Sequence, residues 1–270
     1  MATKLRRVAL ALTMAPLVLA TAAADDGQNR SPNTERASAG CGSLPTHAQL
    51  KQALTAARQQ ANGGFNLDMW GTVVDRDGIV CAVAFTGSDR GDQWPGSRVI
   101  SAQKANTANA FSLPALALST ANLFSPVSPG GSLYGLQHSN PVATDVAYAG
   151  PPSRFGASND PMVGKAIGGV NVFGGGLALY NQAGEIIGGL GVSGDSSCAD
   201  HNIAWRTRHT LVLDFVPAGV SGDAARPDNI IYDITPQPGQ QDGVSESGFG
   251  HPVCSAEAKS IAANLPNTRH

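Results

Sequence analysis

Charged side chains are scarce in this chain, at 14% of 270 residues, with 20 acidic against 18 basic. No stretch of Lys and Arg is dense enough to follow a nucleic-acid backbone, which excludes that class of partner. Long apolar runs are also missing after the first 24 residues; none reaches the roughly 18 residues that a membrane helix needs. The four cysteines contain no C-x-x-C pair, which argues against a zinc site. What is plentiful is glycine, at 32, and proline, at 17, the mix of a compact, loop-rich globular chain.

The first 24 residues carry Lys4, Arg6 and Arg7, then an apolar run over 8–20, then Ala22, Ala23 and Ala24. This is the pattern of a secretory signal, and it predicts a mature chain that starts at Asp25 and is secreted or periplasmic. Removal takes away three of the 18 basic residues and none of the acidic ones, leaving a formal charge of −5. Residues 25–40 are polar without apolar periodicity and read as a disordered leader. The even cysteine count, Cys41, Cys81, Cys198 and Cys254, suits two disulfides in an exported chain, with three connectivities open.

From Cys41 onward the pattern predicts an α+β fold: an antiparallel β-sheet of two main hairpins flanked by helices, with a long loop-rich insertion at about 112–167. Residues 41–270 read as one domain. Thr46 and Gln49 form a capping box ahead of a helix over 47–62. Apolar runs at 69–74 and 79–85 flank Asp75-Arg76-Asp77-Gly78, and runs at 177–180 and 185–192 flank Asn181-Gln182-Ala183-Gly184; each reads as a hairpin. A helix of small residues follows the first hairpin at about 99–110, and Pro114 is expected to open a second, short one. Weaker strand signals lie at 169–173 and 230–234, and 255–265 reads as a terminal helix. His138, Tyr134 and Tyr148 in the insertion are candidate metal or heme ligands by residue type.

The stretch 184–213 concentrates the chemistry. A Gly-rich strand runs into Ser193-Gly194-Asp195-Ser196-Ser197 and opens a helix near Cys198, with Asp195 or Ser196 as its cap. Free N–H groups beside a helix N-terminus suit an anion. Gly189, Gly191 and Gly194 match G-x-G-x-x-G, but the preceding strand is joined by a turn too short for a parallel crossover, so a dinucleotide site is rejected. Lys104, set among small apolar residues, either runs its stem to water or neutralises a ligand carboxylate.

Three segments, SAQKANTANAF at 101–111, GGVNVF at 168–173 and GEIIGGLGVSGDSSCADHNIA at 184–204, resemble the GlcG/HbpS-like family of heme-binding and heme-degradation-associated proteins. The resemblance implies a small antiparallel sheet flanked by helices, heme as a ligand and a homo-oligomer. It carries over Lys104 and Thr107 on the Lys-Ala-x-Thr-Ala helix, and Gly191, Ser193, Gly194 and Asp195 on the final turn, with Lys104 and the turn as partners for heme propionates. His201, on the first turn of the last helix, is the axial-ligand and metal candidate. Two other readings stand beside it: a binding module that holds a small carboxylate without metal, and a heme-degrading oxidoreductase.

Topology also orders the cysteines. If the first helix and the strand after it run antiparallel, the helix start lies near the 75–78 turn, which brings Cys41 to Cys81 and leaves Cys198 for Cys254. The second bridge then pins the tail beside the 193–197 turn.

Overall fold

The computed structural model of the chain describes residues 40–270. The expected signal and the leader up to residue 39 lie outside the described residues. The fold is mixed α+β, built on a four-stranded antiparallel sheet. Strands β1 (Trp70–Asp75), β2 (Val80–Phe85), β3 (Gly176–Tyr180) and β4 (Ile186–Ser193) lie in the order β2-β1-β4-β3. The two predicted hairpins supply all four strands, and β1 pairs with β4 to join them.

Both hairpins turn by the same device. Asp75 Oδ1 accepts the N–H groups of Asp77 and Ile79, and Asn181 Oδ1 accepts those of Ala183 and Glu185. Gly78 and Gly184 then take φ of +78° and +73°, where a side chain would be strained.

Helix α1 (His47–Arg58) starts with the predicted capping box at Thr46 and Gln49. It stops four residues short of the expected end, because the Asn62 side-chain amide turns back to donate to the carbonyls of Ala57 and Gln60. Helix α2 (Ser97–Phe111) crosses one face of the sheet, while α1 and α3 (Ser197–Thr210) lie side by side on the other. Leu50 and Leu54 of α1, Val73 of β1, Leu190 and Val192 of β4, and Ile203 and Trp205 of α3 share the core on the α1/α3 face. Each such leucine, fully removed from water, contributes about 1.5–3 kcal/mol. Trp70, Val74, Val99 and Ala102 lie in the cluster on the α2 face.

The insertion departs from expectation in detail. Pro114 opens no helix: Leu113 and Leu116 exchange backbone hydrogen bonds around a Pro114-Ala115 turn, a position that suits the fixed φ of proline. The next helical turn begins only at Thr120, capped by Ser119. Residues 169–173 form no strand, since their backbone groups go to side chains of α2: Asn106 donates to the Gly169 carbonyl, and Thr107 Oγ1 accepts the Asn171 N–H. The insertion closes along the outer edge of β2, where Val80 exchanges backbone hydrogen bonds with Gly164 and Lys165. The edge N–H and C=O groups of Val80 are thereby covered.

In the tail the expected strand at 230–234 shifts along the chain. It forms as β5 (Ile234–Gln237), paired with β6 (Gln240–Ser245). The terminal helix α4 (Ala256–Ala263) starts at a Ser255 cap. Ala258, Ala262 and Leu265 join the main core, so the tail is packed as well as stapled. The staples are Cys41–Cys81 and Cys198–Cys254, the pairing that topology predicted.

The bridges close loops of 40 and 56 residues in sequence separation. A C198S/C254S variant is expected to unfold in urea with about 2–4 kcal/mol less stability, through the freed unfolded chain. Non-reducing peptide mapping should recover both pairs, and a Cys81–Cys198 peptide would contradict the helix–strand arrangement.

Candidate functional site

The glycines of β4 are there for packing. A Cβ at Gly191 would overlap the Ser101 carbonyl, and one at Gly189 the Ala105 carbonyl, both on α2. Helix α2 therefore lies against the strand backbone with Ser101, Ala102 and Ala105 inward, and Thr72 of β1 meets Ser101 hydroxyl to hydroxyl at 2.8 Å. Gly194 is tight for the same reason, against the Asp68 carbonyl. No nucleotide cradle is formed.

This close approach delivers Lys104 to the end of the sheet. Its Nζ donates to Asp200 Oδ2 at 2.7 Å and to the Val192 carbonyl at 3.1 Å, and both side chains are buried. Lys104 thus does not run its stem to water; it neutralises a carboxylate of its own chain. Burial pushes Asp200 up to about 6 and Lys104 down, with their mutual attraction opposing both shifts.

Asp200 Oδ1 accepts the Asp195 N–H at 2.9 Å, and the Asp195 carboxylate accepts the N–H groups of Phe65 and Leu67. Ser196, not Asp195, caps α3. The 193–197 turn and the helix start are thus served by the chain's own side chains.

A cleft of about 190 Å³ opens over this pair, with Ser193, Asp195, Ser197 and Asp200 on one side and Trp94, Ile100 and Phe173 as apolar walls. Of the predicted residues, Lys104, Ser193 and Asp195 line it. Thr107 lies one turn further along α2, donating to the Gln103 carbonyl at 2.7 Å and accepting Asn171 N–H at 3.0 Å. His201 sits apart, fully buried, with Nε2 3.1 Å from Asn229 Oδ1 and 3.2 Å from the Ile230 nitrogen, its ring beside Trp205 and its Nδ1 without a partner among the described residues. Burial pushes it down to about 4.

One pair was invisible to sequence reasoning. Ser197 Oγ lies 2.7 Å from Nε2 of His251, 54 residues away. His251 Nδ1 is 2.7 Å from the Pro252 carbonyl, which can only accept, so Nδ1 carries the proton and Nε2 receives the Ser197 hydroxyl. The Gly174 N–H donates to the same Ser197 oxygen at 2.7 Å. Burial, with the Lys104 charge adding to it, pushes His251 down to about 4. The available signal was the Cys198–Cys254 pairing, since each partner lies within three residues of it.

A second cleft, of about 320 Å³, lies between the start of α2 and the insertion. Trp70, Val99 and Phe155 give it an aromatic and aliphatic lining, with Arg90, Arg98 and Tyr148 as polar members and Asp89 beside them. Arg98 is committed: it forms a buried two-pronged pair with Asp160, donates to the Ala147 carbonyl at 2.8 Å and lies 3.7 Å from the Phe155 ring centre. Asp89 accepts the Gly91 N–H. Arg90 has no carboxylate partner among the described residues and only the Phe155 ring at 5.7 Å. The Trp70 indole N–H is buried and has no partner among the described residues. Tyr148 is a candidate ligand by sequence; Arg90 carries no such signal.

The two buried histidines make stability depend on pH. Their folded values near 4 lie below the ordinary 6.5, so between those limits the unfolded chain binds protons that the folded chain does not. The histidines' contribution is therefore present above about pH 6.5 and lost as pH falls toward 4, by on the order of 2–3 kcal/mol for each, and the raised Asp200 offsets only part of it over the same range. Urea midpoints should drop between pH 7 and pH 4.5, and an H251Q variant should show a shallower drop than the wild type.

The model of the family described as haem degrading protein HbpS-like matches residues 46–208, from the cap of α1 into the last turn of α3. Solved structures similar to this chain include a PduOC:heme complex, 26% identical, covering 60% of this chain and 89% of that one with a TM-score of 0.41. They also include the Klebsiella pneumoniae protein ORFY, 26% identical, covering 62% and 90% with a TM-score of 0.41. A double mutant of Streptomyces reticuli HbpS is 18% identical, covering 73% and 98% with a TM-score of 0.40. No curated protein matches. With well over half of its length matched, the chain belongs to the HbpS-like family of haem degrading proteins.

Proposed function

We propose that this is an exported heme-binding protein that takes heme in the cleft between α2 and the insertion. Heme needs an apolar slot, an axial ligand from a short set of side chains, and cationic partners for its propionates. The observation that carries the reading is the grouping of the Tyr148 phenol and the uncommitted Arg90 guanidinium around a cleft walled by Trp70, Val99 and Phe155. The Trp70 indole N–H, without a partner among the described residues, adds a donor.

The cleft at Lys104 fits heme less well. No His, Tyr, Met or free thiol lines it, and all four cysteines are bridged. Its ammonium is held by Asp200, and Asp195 adds a second carboxylate. His201, buried with Nε2 engaged, opens onto neither cleft. By residue type the axial role falls to Tyr148 and the propionate role to Arg90. Bound heme would supply an iron centre; the chain's part is to exclude water from its faces and hold its charged edge. Export is supported by the two disulfides, which belong to an oxidising compartment.

Hemin titrated into the mature protein should shift the Soret band and saturate at one equivalent. Tyr148→Phe should change the ligand-to-iron charge-transfer bands and weaken binding by about tenfold or more, and Arg90→Gln should weaken it several-fold with the bands retained. No Soret change at one equivalent would sink the reading, and an unaltered spectrum in Tyr148→Phe would remove the tyrosine from it.

A further inference from the structure

We propose that Ser197 and His251 form a nucleophile and base pair that transfers small acyl groups from neutral esters in the cleft over Lys104. This is separate from the heme cleft and does not depend on it.

A nucleophile, a base and a group that orients the base are present in the required order. The Ser197 hydroxyl donates to His251 Nε2 at 2.7 Å, within the reach a general base needs. The base is oriented by a third group, since its Nδ1–H donates to the Pro252 carbonyl at 2.7 Å and fixes the tautomer that leaves Nε2 open to the hydroxyl. The Gly174 N–H donates to the same Ser197 oxygen at 2.7 Å, which leaves the hydroxyl proton directed at His251. Ser197 is also the first residue of α3, at the positive end of a helix of 14 residues.

Access is divided as the chemistry requires. Ser197 is partly exposed and lines the cleft, while His251 is 3% exposed behind it, packed on the Phe124 ring. The Cys198–Cys254 bridge, with Cα atoms 5.9 Å apart, fastens the two segments together, so the pair is held before any substrate arrives.

The cleft also sets the substrate class. Its volume of about 190 Å³ limits the acyl group to a small one, and Trp94, Ile100 and Phe173 favour an apolar or aromatic leaving group. Asp195 and Asp200 against a single Lys104 disfavour anionic substrates, which leaves neutral esters.

In the step itself, Ser197 Oγ bonds to the ester carbonyl carbon as its proton passes to His251 Nε2. The carbon–oxygen bond to the leaving alkoxide breaks, and the alkoxide takes that proton. Water then repeats the sequence on the acyl-serine, releasing the carboxylic acid and restoring the hydroxyl. No oxidant, metal or cofactor is needed.

The test uses the full mature protein with p-nitrophenyl acetate as substrate and diethyl p-nitrophenyl phosphate as covalent probe. The expected result is turnover above the buffer rate and a single phosphoryl adduct, mapped to Ser197 by peptide mass. Ser197→Ala should lose both. His251→Gln, which keeps a hydrogen-bonding side chain, should slow labelling by roughly 100-fold. A merely structural serine would take no adduct, so folded wild-type protein left unlabelled at Ser197 overturns the proposal without recourse to any variant. Labelling of His251→Gln at the wild-type rate overturns the role of the histidine.

Discussion

The buried pair of Lys104 and Asp200 is the constraint on which the two layers of this molecule depend. Lys104 belongs to the helix on one face of the sheet and Asp200 to a helix on the other, and they meet past the end of β4. Taking both charges out of water is costly, and only the close pairing and the added hydrogen bonds to Val192 and Asp195 offset it. Removing one partner would strand the other, at a cost of about 3–5 kcal/mol. From Asp200 the linkage passes through Asp195 to the 65–67 loop, which leads from α1 into β1. One ion pair thereby sets the relation of three helices to the sheet.

That arrangement explains why the glycines in β4 resemble a nucleotide fingerprint without being one. Gly189 and Gly191 face α2, and any side chain there would push the helix away from the strand. Lys104 would then lie too far from Asp200 to pair with it. The spacing of two between these glycines is the strand period, because both must face the same helix.

How much of this could be read from the residues depends on how local each cause is. The hairpins were legible because Asp75 and Asn181 organise their turns within four residues, and the first helix because Thr46 and Gln49 cap it within three. The disulfides followed from the topology that these elements impose. The length of α1 was overestimated because Asn62 caps it by side chain, a choice that spacing of apolar residues does not reveal. The insertion resisted reading because its anchors are distant: Arg98 finds Asp160 across 62 residues, and Val80 finds Lys165 across 85. For the site, Lys104 and the 193–197 turn were legible as a place, but their chemistry was not. The carboxylate that Lys104 neutralises is the chain's own, and the histidine facing Ser197 arrives from a tail whose path no local pattern predicts.

The two clefts differ in what they exclude, and this argues that they serve different ligands. At the first, two carboxylates stand against one ammonium that is already paired, so a molecule bearing propionates would meet net repulsion in a confined, low-dielectric space. At the second, Asp160 neutralises Arg98, and Asp89 is balanced by an Arg90 that has no carboxylate partner among the described residues, so an anionic edge can be met there without breaking an existing pair. The outer parts of the chain divide in the same way: the tail brings His251 behind Ser197 of the first cleft, and the insertion brings Tyr148 and Phe155 to the second. The sheet and its central helix are common to both, and each cleft takes its distinguishing side chains from a segment that lies outside the strands.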